Sequence, residues 1–336
     1  MDLLSREKLM PSASPAKISV VIPAYKVTDH ILQVIGKIGS EVASIYVVDD
    51  CCPDSSGEFV RRNCSDPRVI IIRNEINLGV GGAVMAGYRA AISAGTDVIV
   101  KVDGDGQMDP QLIPYFCAPI TEGRADYTKG NRFYDLTRIG DMPFMRIFGN
   151  AVLSFMAKIS SGYWNIFDPT NGYTAISARV AAHLPMDKIS QRYFFETDML
   201  FRLNTLRAVV TDVPMDAVYG DEKSNLKISK IIGEFLFKHI RNFGKRIFYN
   251  YFLRDVSVAT FELISGSLLF CFGTIFGLVN WMAALSHQTY TPLGTIMLAA
   301  LPVLAGLQLL LAFLNYDVAN VPTNPICRSL SPRLTN

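Results

Sequence analysis

Along the first third of the chain, short apolar runs alternate with stretches in which apolar residues recur every three or four positions. The run Ile18–Pro23 (ISVVIP) predicts a strand, and Val27, Ile31, Val34, Ile35 and Ile38 follow with helical spacing. Ser44–Asp49 (SIYVVD) predicts a second strand, and the polar turn CCPDSSG leads into a short helix through Arg62. Val69–Arg73 (VIIIR) predicts a third strand, a helix opens at Asn77-Leu78-Gly79-Val80-Gly81-Gly82 and ends near Ala94, and Asp97–Val102 predicts a fourth strand. Apolar strands joined by helices of this length imply an α/β fold around a mostly parallel sheet covered on both faces. Ligands of such sheets bind beyond the carboxyl ends of the strands. Pro23-Ala24-Tyr25, Asp49-Asp50, Asn77–Gly82 and Asp103–Gln107 all fall at those ends, so four polar or glycine-rich loops are predicted to share one rim.

The pattern changes after Leu226. From there to Arg254 the basic residues Lys227, Lys230, Lys238, Arg241, Lys245, Arg246 and Arg254 interleave with Ile, Phe, Leu and Tyr. That predicts amphipathic helices lying on an anionic membrane surface. Two nearly uncharged runs follow, at 263–285 and 292–314, joined by SHQTYT. A helix of about 20 apolar residues crosses a hydrocarbon core, so both predict transmembrane helices joined as a hairpin. The alternative, a buried helical hairpin of a soluble domain, suits two such long uncharged runs poorly. Basic residues precede the first span, and Arg328 and Arg333 follow the second. The positive-inside rule then predicts a multi-pass protein with the first domain and both termini cytoplasmic. The expected organisation is a mobile tail at 1–16, an α/β domain at 17–225, juxtamembrane helices at 226–254, the hairpin at 255–316 and a cytoplasmic tail at 317–336.

Composition narrows the function classes. The net charge of +2 gives no reason to expect nucleic acid as a partner, and no nucleic-acid-binding motif is present. Six cysteines form no CxxC pair and no zinc-ligand spacing; the adjacent Cys51-Cys52 is a poor geometry for a disulfide. A reducing compartment follows. The N-terminal segment lacks the apolar core of a signal peptide.

The candidate chemistry centres on Val102–Met108 (VDGDGQM). Asp103, Asp105 and Gln107 alternate, and alternating residues of an extended segment point the same way. Three oxygen donors with open positions suit Mg2+ or Mn2+ shared with a phosphate-bearing ligand; an acidic turn is the plainer alternative. The dinucleotide fingerprint is excluded, because the glycines follow the third strand rather than the first, and no Walker A sequence is present. The glycines at 79, 81 and 82 allow close backbone approach, and the helix start behind them favours an anion; an ordinary tight turn is the alternative.

The segments VVIPAY, VVDD, NLGVGGAVMAGYRAA and VDGDGQMDP, in this order, resemble the family 2 glycosyltransferases with the GT-A fold. Within them the resemblance is to the polyprenyl-phosphate glycosyltransferases: dolichyl-phosphate mannose synthases and bactoprenol glucosyltransferases. It covers about Lys17 to Lys227. The resemblance implies that a nucleotide-sugar contacts Pro23, Ala24, Tyr25, Asp49, Asp50, Asn77, Gly79, Gly81 and Asp103. It implies Mg2+ or Mn2+ on Asp103, Asp105 and Gln107, and a lipid phosphate held by Arg132, Arg146 and Asn150. Asp168, Asn171, Glu196, Asp198 and Lys223 would lie on the acceptor side. One departure is Cys51-Cys52, where family members often carry Gly-Ser.

Chemistry favours a phosphate acceptor. A sugar hydroxyl needs a base to remove its proton, whereas a phosphate monoester, with a second pKa of about 6, is already largely a dianion at neutral pH. Cations that hold the nucleophile and a metal that stabilises the leaving diphosphate then suffice. The expectation is an inverting transfer, with UDP-glucose as first donor, to a polyprenyl phosphate at the cytoplasmic membrane face, with Asp105, Arg132 and Arg146 catalytic. Three alternatives remain: a glycan-extending enzyme with Glu196 or Asp198 as base, a membrane scaffold without catalysis, and arginines that only make surface ion pairs. For Glu196 and Asp198 the plain role is to complement a helix dipole. The basic amphipathic segment and the apolar runs imply contact with membrane lipids, and the resemblance implies a homo-oligomer in a bacterial inner membrane.

Overall fold

The computed structural model of the protein describes residues 15–134, 144–216 and 228–331. The chain forms two compact units: one comprises Met1–His239 together with Pro322–Asn336, the other Ile240–Val321.

The first unit is built on strands β1 (Ile18–Ala24), β2 (Val42–Asp49), β3 (Val69–Arg73), β4 (Val98–Lys101), β5 (Tyr127–Asn131), β6 (Thr174–Ser177) and β7 (Val210–Pro214). They form one sheet in the order β3-β2-β1-β4-β6-β5-β7. The first four pair in parallel, as do β5 and β7. Only β6 runs antiparallel, to both β4 and β5. The mostly parallel sheet expected from the apolar runs is therefore present. Val20, Ile22, Val47, Val100 and Val102 are fully buried in its core, as strands covered on both faces require.

Helix α1 (Ile31–Gly36) is shorter than the spacing from Val27 to Ile38 predicted. The periodic residues from Ile31 onward are buried all the same, Ile38 included, so the spacing recorded which side faces the core rather than helix length. Helices α2 (Ser56–Asn63) and α3 (Gly79–Ser93) follow β2 and β3. Next come α4 (Ile113–Thr121), α5 (Phe144–Ser161), α6 (Ala178–His183) and α7 (Phe195–Leu206). Phe116 of α4 stacks on Tyr173 with ring centroids 4.0 Å apart, anchoring that helix to the sheet.

Helix α8 (Ile228–Phe248) runs on through a π-helical turn, Tyr249–Arg254. In the second unit, α9 (Val258–His287) contains the first expected span and extends beyond both its ends, while α10 (Leu293–Ala319) starts one residue inside the second and runs past its end. Ser257 and Thr260 form a capping box, which starts α9 several residues before the first apolar run. Both helices are long and apolar enough to cross a membrane, with mean hydropathy 1.9 and 2.3 and few buried residues. Glycines set their close approach: a Cβ at Gly273 would stand 2.6 Å from Ala299 O, and one at Gly306 2.5 Å from Phe270 N. Arg246 forks onto Asp317 at 2.5 and 3.0 Å, and the Tyr251 hydroxyl donates to the same carboxylate at 2.6 Å. This buried ion pair joins α8 to the far end of α10 within the second unit.

The residues after Pro322 belong again to the first unit. The predicted tail from 317 thus begins inside α10 and then becomes part of the α/β domain.

Candidate active site

A cavity of about 480 Å³ opens at the carboxyl ends of β1, β2 and β4. Pro23, Ala24 and Tyr25 at the end of β1, Asp50 after β2, Asn77 and Gly79 at the start of α3, and Asp103 and Asp105 after β4 all line it. Asp49, Gly81 and Gln107 are not among its lining residues.

The two aspartates of VVDD have different tasks. Asp49 points inward and accepts the N–H of Cys52 at 2.8 Å and of Gly57 at 2.7 Å, fixing the turn into α2. Asp50 accepts from Asn74 Nδ2 at 2.8 Å, Leu78 N at 3.0 Å and Gly79 N at 2.6 Å. The amide groups at the start of α3, offered by the sequence to an anionic ligand, are thus turned toward Asp50.

The glycines accommodate a neighbouring segment. Gly79 has φ +80°, and a Cβ there would stand 2.7 Å from Gln191 O; a Cβ at Gly81 would stand 2.4 Å from Ser190 O. The Gly81 N–H donates to Gln191 O at 2.8 Å, while Asp198 accepts the Ser190 N–H at 2.9 Å. Held from both sides, this segment brings Arg192 and Tyr193 to the cavity wall. Sequence reasoning passed over both, although a cation and an aromatic directly before Phe194–Asp198 were a visible signal. It also passed over Lys26, which lines the same cavity.

In the acidic loop, Gly106 adopts φ +79° and the Gln107 N–H donates to Asp105 Oδ1 at 3.0 Å. Gln107 therefore shapes the turn through its backbone. Beneath Asp103 lies Lys101, whose Nζ is 2.8 Å from Asp103 Oδ1 and 3.7 Å from Glu196 Oε1 and donates to Gly172 O at 3.0 Å. Burial works to lower the Lys101 pKa, but Asp103 and Glu196 outweigh it and raise it, so the group stays an ammonium. Burial pushes the Glu196 carboxyl up, against the pull of Lys101 and Lys129. Lys129 is fully buried and donates to Asn171 O; burial lowers its pKa to about 8, only partly offset by Glu196 and Asp168. Lysines are almost never fully buried unless paired, so two of them within strands mark a compensated charge cluster.

On the expected acceptor side, Arg132 forks onto Asp168, with Nε–Oδ2 2.7 Å and Nη2–Oδ1 3.1 Å. Asp168 is buried, while Arg132 keeps a third of its side chain exposed. Asn171 is a packing residue: its Oδ1 accepts the Tyr173 N–H at 2.9 Å and its Nδ2 donates to Met215 Sδ at 3.2 Å. Asn150 is half-buried in α5. Arg146 is in the same helix, but its side chain lies outside the described residues, as does Lys223.

Among the described residues, no group of three or more His, Cys, Asp or Glu side chains could hold a metal ion. Asp103 and Asp105 instead line one cavity. That donor set fits Mg2+ or Mn2+, which are usually held by one or two carboxylates plus substrate phosphates and water.

A parallel-centred sheet with an Asp-x-Asp pair in the cavity at its carboxyl edge is the arrangement of a GT-A nucleotide-sugar-binding domain. The family model described as Glycosyl transferase family 2 matches residues 19–184, and this stretch is a family 2 glycosyltransferase domain. The chain is 29% identical to an undecaprenyl-phosphate mannosyltransferase of Micrococcus luteus, over 65% of this chain and 90% of that one. It is 27% identical to a UDP-N-acetylglucosamine–dolichyl-phosphate N-acetylglucosaminyltransferase of Methanococcus voltae, over 61% and 86%. Among solved structures, glucosyl-3-phosphoglycerate synthase of Mycobacterium tuberculosis, in complex with Mn2+, UDP and phosphoglyceric acid, shares the fold. It has a TM-score of 0.51 at 18% identity, covering 69% of this chain and 78% of that one.

Proposed function

We propose that the protein transfers a hexosyl group from a nucleotide-sugar to a polyprenyl phosphate at a membrane surface. The observation that carries this reading is the Asp103–Asp105 cavity in the same chain as two helices of membrane-crossing length and apolarity. The similar proteins of M. luteus and M. voltae, named for undecaprenyl- and dolichyl-phosphate acceptors, support the acceptor class. Mannose and N-acetylglucosamine, named for those relatives, join glucose among the candidate sugars.

In this mechanism the donor occupies the cavity, with the half-exposed Tyr25 and the exposed Tyr193 available to flank the base. Arg192 and Lys26, which line the same cavity, supply positive charge to the diphosphate. Asp103 and Asp105 would hold Mg2+ or Mn2+, which supplies charge stabilisation to the leaving diphosphate. Arg132, oriented by Asp168, presents its guanidinium to the acceptor phosphate. A phosphate oxygen then attacks the anomeric carbon in line, forming the new C–O bond as the bond to the nucleotide diphosphate breaks, with inversion. No base is needed for a dianionic nucleophile. Glu196 is engaged with Lys101 and Asp198 with Ser190 N–H, which weighs against either as the base of a glycan-extending enzyme. Both ends of the apolar hairpin rejoin the first unit in sequence, in keeping with a two-span protein whose catalytic domain and termini lie on the cytoplasmic side.

The test is nucleotide diphosphate release from UDP-, GDP- and dTDP-sugars, with and without a short polyprenyl phosphate in detergent. Release from one donor that depends on the lipid phosphate supports the reading. Lipid-independent release, or none from any donor, contradicts it.

A further inference from the structure

Lys101 ends β4, two residues before Asp103, and its side chain is 1% exposed. Its ammonium touches Asp103 Oδ1 at 2.8 Å and lies 3.7 Å from Glu196 Oε1. Gly172 makes this approach possible: a Cβ there would stand 2.5 Å from Lys101 Nζ and 2.7 Å from Asp103 Oδ2. Two carboxylates, Asp103 and Glu196, thus bear on one buried cation. A divalent ion approaching Asp103 and Asp105 meets a fixed positive charge already bonded to one of the oxygens it needs. An ion arriving with a diphosphate brings its own negative oxygens, which the same fixed charge attracts.

We propose that Lys101 is a positioning residue that makes divalent-cation binding at Asp103 and Asp105 depend on the nucleotide. It fixes the Asp103 carboxylate, cancels part of the local negative charge, and so keeps a bare cation weakly held. The inference rests on the proposed reading of this cavity as a metal–diphosphate site, and it adds an order of binding: the cation enters with the donor and leaves with the nucleotide product.

The experiment is a Mn2+ titration of the purified full-length protein in detergent, read by the electron paramagnetic resonance signal of free Mn2+, alone and with UDP, GDP or dTDP. The wild type binds Mn2+ weakly alone and about tenfold or more tighter with one of these nucleotides. Lys101→Met tightens bare Mn2+ binding by about tenfold or more and loses most of that nucleotide dependence, because a unit charge a few ångströms away has been removed. Glu196→Gln shifts bare Mn2+ binding the opposite way, and the double variant, with one charge of each sign removed, returns to the wild-type pattern. A purely structural lysine produces no such sign reversal. If Lys101→Met does not fold, Lys101→Gln takes its place in the same titration and is read by the same outcomes. Bare Mn2+ binding unchanged in Lys101→Met overturns it while leaving the metal–diphosphate reading intact. Wild-type Mn2+ binding that none of UDP, GDP and dTDP strengthens overturns both.

Discussion

The carboxylate of Asp126 accepts the backbone N–H of Cys327 at 2.7 Å, across 201 residues of chain. The same buried carboxylate accepts Ile326 N at 3.0 Å and Val209 N at 2.8 Å. The segment that follows the apolar hairpin is thereby tied to the edge of the catalytic sheet, where Arg328 also donates to Glu122 O at 2.7 Å. Asp126→Asn exchanges one acceptor oxygen for an amide donor facing backbone N–H groups. The expected cost is about 1–3 kcal/mol, the penalty for unsatisfied buried polar groups. Burial also raises the Cys327 thiol pKa to about 11. The variant is expected to melt lower and to alkylate faster at Cys327, read by mass spectrometry of labelled peptides; equal labelling in both proteins would argue against the clasp.

Gly81 is predicted to matter through packing. A Cβ at this position would stand 2.4 Å from Ser190 O. Gly81→Ala must therefore push the backbone of the 190–192 segment outward, at a cost of about 1–3 kcal/mol for overpacking. Gly36, the last residue of α1, has nothing within 4 Å of its own Cβ position. Gly36→Ala is therefore expected to be neutral or stabilising by up to about 1 kcal/mol. Thermal melting of the two variants side by side checks the contrast, and equal effects would contradict it.

Asp168 is predicted to act on the acceptor through Arg132. Asp168→Asn removes the charge that holds the guanidinium fork. Hydrogen bonds to charged groups are worth about 1.5–3 kcal/mol, so KM for the lipid phosphate is expected to rise about tenfold or more. Affinity for the donor's nucleoside diphosphate is expected to stay unchanged. A parallel loss of that affinity would mean that Asp168 supports the whole site.

Burial raises the Asp212 pKa to about 6, and its Oδ1 is buried without a partner. Its Oδ2 accepts the Phe167 N–H at 2.9 Å. A carboxyl whose folded pKa lies above its unfolded value binds more protons folded than unfolded between the two values. Its contribution is fully present below the unfolded value of about 3.9 and is lost as pH rises through about 6. Relative to Asp212→Asn, the wild type is expected to lose stability from pH 4 to pH 7, measured by denaturant unfolding. A stability gap that does not change with pH would contradict this.

The first four strands and their rim were legible because strand period and turn chemistry are local. The half from β5 to β7 was less so: β6 has 4 residues and pairs antiparallel to β4, more than 70 positions earlier. No local pattern reports such a pairing. VVDD shows why a motif underdetermines a site. Successive residues of a strand face opposite ways, and only the packing of α2 decided that Asp49 turns inward while Asp50 lines the cavity. Lys101 and Lys129 were illegible for a related reason. Lysine in a strand reads as an exposed position, and the carboxylate that both lysines face, Glu196, lies far along the chain.

The central claim is transfer of a sugar to a lipid phosphate by the Asp103–Asp105 cavity with Arg132. The most direct measurement is radiolabel appearing in the lipid phase from labelled UDP-, GDP- and dTDP-sugars, given a short polyprenyl phosphate and Mg2+ or Mn2+. Wild type is run beside Asp105→Ala and Arg132→Ala. The expected result is a labelled, phosphate-linked lipid from one donor with wild type and at least about a hundredfold less with either variant, roughly the loss of one charged transition-state contact. Wild-type label in the lipid phase that survives both substitutions, or no lipid product from any donor, would contradict it.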